Sequence, residues 1–196
     1  KLSFAIMNFI KSHSTLKILL CGAFVLAGLL SLSFISLAQD LFKEKAPMPT
    51  ARDALCTAEI DGKIFAIGGE KNESAFLSTV EVYNPATNTW DITKTAMPTA
   101  RCGMGCAVVD GKIYVIGGWN SSALSTVEMY DPATDTWTRK ANIPEGVWGL
   151  CAHVVRGKIY AVGGRVYYTS SEPYVQEYDP ATGTWTRKAD MPVDAS

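Results

Sequence analysis

Histidine is nearly absent: the 196 residues hold two, His13 and His153. A copper or zinc centre needs several His or Cys ligands converging in space, so no metal is expected and His153 reads as a packed strand residue. Charge of one sign is equally scarce, with 18 Lys and Arg against 19 Asp and Glu and a net charge of −1. A nucleic-acid binder should carry a basic stripe, so nucleic acid is excluded as a partner. No Ser-His-Asp order, phosphate-cradling loop or dinucleotide fingerprint is present, and Gly103-Met104-Gly105 lacks the helix such loops require. Carboxylates are scattered, so no catalytic residue is assigned and no cofactor is expected. What remains is an ordinary globular balance, 47% apolar and 19% charged, which rules out disordered and collagen-like chains.

The first 38 residues stand apart. They contain Lys1, Lys11 and Lys17 and no acid, leaving a net charge of −4 for the rest. Ile18 to Gln39 are 22 consecutive uncharged residues, and Ser36-Leu37-Ala38 offers small residues at a cleavage point. Residues 1–38 therefore read as a signal peptide, or as an uncleaved hydrophobic helix meeting the membrane through residues 18–39. Either way the remainder is expected to be exported: periplasmic, secreted, or anchored outside. The chain starts on Lys1 rather than Met, and its pattern is still running at Ser196, so it reads as a fragment.

From residue 39 onward one unit is read three times. Gly-Gly recurs at Gly68-Gly69, Gly117-Gly118 and Gly163-Gly164; Tyr at 83, 130 and 178; Trp at 90, 137 and 185; Pro at 49, 98, 144 and 192. Such a period of 46 to 49 residues marks a repeat architecture. Each unit spells four short strands, with Asp61-Gly62 as a hairpin signal between the first two. Asn84-Pro85-Ala86-Thr87-Asn88 turns between the last two, and Gly183 fills the final slot in the third unit. The second strands, such as Ile113-Tyr114-Val115-Ile116, are apolar without alternation, so both faces of each sheet need cover. Small four-stranded sheets covered on both faces stack as blades of an all-β propeller.

The Gly-Gly doublet, the Tyr 12 to 14 residues on, the Trp 7 beyond it, and the Asp/Asn-Pro-Ala-Thr-x-Thr-Trp turn together resemble kelch repeats. The resemblance implies a kelch-type β-propeller of commonly six blades, three of them here, with Gly68, Gly69, Tyr83, Trp90, Gly117, Gly118, Tyr130, Trp137, Gly163, Gly164, Tyr178 and Trp185 as its structural signature. Blades are assigned to 54–98, 99–144 and 145–192, with 193–196 opening a further one. Residues 39–53 read as linker plus an orphan outer strand at 40–45, because Phe42 aligns with the Trp position; the remaining blades are expected from missing chain. The compact leader and closely similar repeats suit a bacterial envelope protein.

Strand alternation puts the variable loops 70–79, 119–126 and 165–174 on one rim, the candidate binding face. There the ligand-binding candidates are Asn72, Glu73, Trp119, Asn120, Arg165, Tyr167 and Tyr168. Arg52 and Arg101, at equivalent places before the innermost strands, are further candidates for an anion at the channel mouth, against the plainer reading that they hydrogen-bond inter-blade carbonyls. Cys56, Cys102, Cys106 and Cys151 all sit in or before innermost strands. Cys102 and Cys106 are about 13 Å apart in one extended strand and do not pair with each other. Buried free thiols are expected, with a bridge from Cys102 or Cys106 to a neighbour as the alternative. The expected function is a non-enzymatic binding or scaffold module for a protein or glycan; the alternative is a carbohydrate-active enzyme resembling exported sialic-acid mutarotases.

Overall fold

A computed structural model describes residues 43–72, 75–168 and 170–192. The chain divides into two compact units, 1–45 and 46–196. The leader and the apolar run at 18–39 lie outside the described residues, as do Phe42 and residues 193–196. Lys43–Lys45, the described part of the expected orphan strand, form no strand. Among the described residues no helix is long and apolar enough to cross a membrane.

The second unit is all β. Twelve strands run β1 Cys56–Ile60, β2 Lys63–Ile67, β3 Val80–Asn84, β4 Thr89–Asp91, β5 Gly105–Val109, β6 Lys112–Ile116, β7 Val127–Asp131, β8 Thr136–Arg139, β9 Cys151–Val155, β10 Lys158–Val162, β11 Val175–Asp179 and β12 Thr184–Arg187. They form three four-stranded antiparallel meanders, β1–β4, β5–β8 and β9–β12. The first hairpin of each is closed by two residues with positive φ: Asp61 and Gly62, Asp110 and Gly111, Arg156 and Gly157. That is the turn whose twist matches the flanking strands, and it needs residues that tolerate the left-handed region.

Two apolar layers lie between the sheets. Phe65, Ile67, Val80 and Val82 of the first meet Ile113, Val115 and Tyr130 of the second. Tyr114, Ile116, Val127 and Met129, on the opposite face of that second sheet, meet Ile159, Ala161 and Tyr178 of the third. The middle sheet is thus covered on both faces, which is why β6 carries no polar alternation. β9 has an innermost neighbour, β5, on one side only among the described residues. Cys151, His153, Val154 and Val155 are consequently exposed. This corrects the expectation that His153 is packed.

Each Tyr–Trp pair is cross-strand: Tyr83 opposite Trp90, Tyr130 opposite Trp137, Tyr178 opposite Trp185, with ring centroids 5.1, 4.9 and 5.0 Å apart. The Trp Nε1 groups donate to the carbonyls of Ala46, Thr95 and Ala141, in the segment that precedes each sheet. Residue 88 or 135 completes the joint: Asn88 Oδ1 accepts from both Tyr83 Oη and Ala46 N, and Asp135 from Tyr130 Oη and Thr95 N. The aromatic pair is therefore a clamp between consecutive units as well as a packing element.

The Gly-Gly doublet does the same at the other rim. Gly69 N donates to Arg101 O and Gly118 N to Val147 O, each across to the next unit. A Cβ on Gly69 would lie 2.5 Å from Asp53 O, and one on Gly117 2.4 Å from Val147 O. Backbone meets backbone there, so only glycine fits.

Candidate functional site

Arg52 and Arg101 are consumed by the fold. Arg101 Nη1 binds Glu128 Oε2 at 2.5 Å, with side-chain exposures of 0% and 3%. It also donates to Thr99 O, and Nη2 donates to Val115 O. Burial pulls the Arg101 pKa down and the Glu128 carboxylate opposes it. Arg52 repeats the arrangement, with Nη2 2.8 Å from Glu81 Oε2 and Nη1 on the carbonyls of Gly68 and Thr79. Thr50 and Thr99 hydroxyls donate to the same two carboxylates. The close partners of these guanidiniums are a buried carboxylate and nearby carbonyls, which for Arg101 lie in its own unit. In the third unit Val147 stands in the Arg place, and Gln176 stands where Glu81 and Glu128 do. Gln176 is 1% exposed and accepts from Glu145 N. A buried carboxylate without its cation is costly, so the loss of the arginine is matched by loss of the acid.

The residues on either side of this joint make the rim. The residue after each doublet, Glu70, Trp119 or Arg165, pairs as an isolated antiparallel bridge with Asp53, Cys102 or Trp148. Loops and inter-unit segments thereby share one rim, and the three pairs lie side by side. Trp119, Trp148 and Tyr168 are in mutual ring contact: 5.7 Å between the two indoles, 4.9 Å from Trp119 to Tyr168, 5.3 Å from Trp148 to Tyr168. Arg165 sits 5.7 Å from the Trp148 ring centre and its Nη1 donates to Tyr168 O. A cavity of about 330 Å³ opens between these three rings, Glu70 and Cys102. The Cys102 thiol is pushed up to about 12, by burial first and then by the charge of Glu70 and a hydrogen bond to it. It is a neutral wall, with no nucleophilic thiolate.

A second hollow of about 550 Å³ lies on the far side of Trp119, where Tyr167 and Val166 face Ser121, Pro144 and Glu145. Tyr167 and Tyr168 are 69% and 64% exposed. The larger groove at the opposite rim, about 630 Å³, has two of its three lysines paired, Lys94 with Asp91 and Lys112 with Asp131.

Of the sequence candidates, Trp119, Arg165 and Tyr168 come together and Tyr167 borders them. Asn120 is held by the loop, donating from Nδ2 to Ala100 O. Asn72 has an exposed place in the first loop, and Glu73 lies outside the described residues. Trp148 and Glu70 were missed. The signal for Trp148 was its place directly after Val147, the position of the arginines in the other units. Among the thiols the stated alternative holds for one pair: Cys56 and Cys106 form a disulfide between β1 and β5, with Cα atoms 5.9 Å apart. Cys102 is free and buried, and Cys151 is free but exposed. Among the described residues no group of three or more His, Cys, Asp or Glu is placed to hold a metal.

Repeated meanders stacked face to face, joined by Gly-Gly backbone contacts and Tyr–Trp clamps, define a β-propeller-type repeat protein. The KLHDC2/KLHL20/DRC7 Kelch-repeats domain matches residues 25–164 and the Kelch motif matches 149–192, so the chain belongs to the kelch-repeat family. It is 42% identical over 53 residues to Kelch-like protein 33 of Homo sapiens, covering 27% of this chain and 10% of that one. It is 50% identical over 62 residues to the Influenza virus NS1A-binding protein of Homo sapiens, covering 31% and 9%. The matches span about a tenth of the length of these relatives. The solved structure of YjhT has the same fold, with a TM-score of 0.69 and 24% identity over 79% of this chain and 56% of that one.

Proposed function

We propose that this chain is a non-enzymatic binding module that holds a protein partner on its variable-loop rim. The observation that carries the reading is the joined ring cluster of Trp119, Trp148 and Tyr168, flanked by Arg165 and the exposed Tyr167. Protein interfaces concentrate their binding energy in Trp, Tyr and Arg, and large exposed aromatic groups on a rigid scaffold mark interaction sites. Membership of the kelch family supports it, and one relative is named for binding a protein. Export goes with the proposal, on the apolar leader and on the Cys56–Cys106 disulfide, a bond that persists in oxidising compartments.

The test is selection of a displayed random-peptide library on the immobilised whole chain. Enriched peptides are expected to lose binding to Trp119→Ala and Tyr167→Ala and to keep it with Lys63→Ala on the opposite rim. Enrichment of none, or equal binding to all variants, refutes the proposal. Enrichment of glycans instead, in a parallel array, moves the module to the glycan reading.

A further inference from the structure

The cavity between Trp119, Trp148, Tyr168, Cys102 and Glu70 joins two kinds of wall. Three aromatic rings present π faces and edges. A carboxylate stands opposite, and among the described residues neither Glu70 nor the adjacent Asp53 has an ion-pair partner. Cys102 is buried and remains protonated, so it adds no charge. Beside the cluster, Arg165 is already committed to the Trp148 ring and Tyr168 O, and the neighbouring Lys71 is solvent-exposed.

We infer that this cavity is a cation pocket, taking a lysine or arginine side chain of the partner protein between the aromatic rings and the Glu70 carboxylate. Ring quadrupoles attract a cation within about 6 Å of the centroid, and a carboxylate on the open side supplies the charge partner that the rings lack. The placement of Arg165 on Trp148 shows that the cluster already accommodates one guanidinium. A sugar would stack on the same rings without needing the carboxylate that Glu70 gives the pocket. This inference rests on the protein-binding reading of the rim and specifies its chemistry.

Titration with tetramethylammonium and with Nα-acetyl-arginine amide tests it, followed through the indole N–H resonances of the five tryptophans. The expected result is saturable shifts confined to Trp119 and Trp148, weakening as salt shortens the screening length. Glu70→Gln is expected to weaken binding at least about fivefold and Trp119→Ala about tenfold. Arg165→Gln should strengthen it, by removing a like charge. The indole signals that remain in each variant also report whether it is folded. Equal binding of an uncharged tert-butyl compound such as 3,3-dimethylbutanol, preference for a methyl glycoside, or no saturable shift with any probe overturns the inference. The peptide selection separates this failure from that of the function: enriched peptides lacking a required Lys or Arg leave the rim a protein site and the pocket without its cation.

Discussion

Arg101 and Glu128 are locked together in the interior of the second sheet's face, and the third sheet replaces both at once, with Val147 and Gln176. The chain has thus already made both members of a charge-removing swap. Arg101→Val alone is expected to destabilise by about 3–5 kcal/mol, because it strands a buried carboxylate. Adding Glu128→Gln should recover most of that loss. Urea unfolding of the two single variants and the double one reads the coupling, and additive losses would refute the matched-pair account.

Ala54 occupies, at φ 47°, the place held by Gly103 and Gly149 in the later units at φ 63° and 66°. A left-handed alanine costs roughly 1–2 kcal/mol, part of which glycine returns as unfolded-state entropy. Ala54→Gly should therefore stabilise by about 0.5–1 kcal/mol in denaturant unfolding. A neutral or destabilising result would contradict the strain.

The cysteines sort by environment. Peptide mapping after brief alkylation should find Cys151 modified before Cys102, since the latter is buried with its thiol pKa raised to about 12. Cys56 and Cys106 should react only after reduction. Closing a 50-residue separation restricts the unfolded chain, so their double serine variant should lose on the order of 3–4 kcal/mol.

Glu177 is held down at about 2 from an ordinary 4.5, chiefly by the Tyr160 hydroxyl, then by Lys188 and Lys158. A depressed carboxylate contributes stability that is present above its unfolded value and disappears as pH falls through the folded one. Between pH 4.5 and 2 the wild type should therefore lose stability more steeply than Glu177→Gln. Parallel pH profiles of the two would remove Glu177 as a source of acid lability.

What could be read before the structure was whatever a strand says about itself. Asp61-Gly62 fixes its own hairpin, the unalternating Ile113 to Ile116 announces a sheet covered twice, and the Tyr83 to Trp90 interval is one hairpin long. Contacts between units were harder, because their register is absent from any single repeat. Cys56 begins its strand and Cys106 is second in its own, so the pair looks mismatched until β1 and β5 are laid side by side. Trp148 was hidden for a related reason: its neighbours across the bridge belong to a loop whose sequence differs in every unit. His153 was misjudged because a strand's exposure depends on what stands beside it.

One set of backbone contacts near the innermost strands runs toward the preceding unit, opposite in direction to the doublet bonds, whose Gly69 and Gly118 amides donate to the unit that follows. Gly103 N donates to Ala54 O and Gly149 N to Gly103 O, so each unit gives a proton donor to the unit before it and offers an acceptor to the one after. The Trp137 and Trp185 indoles repeat that polarity through Thr95 and Ala141. Units joined by such heterologous, head-to-tail surfaces have a grammar: a duplicated copy inserted between two others meets the donor and acceptor it needs on both sides, whereas an inverted one meets neither. Gene duplication can lengthen a chain of this kind without inventing a new interface, leaving each rim loop free to diverge on its own, as 70–79, 119–126 and 165–174 have done.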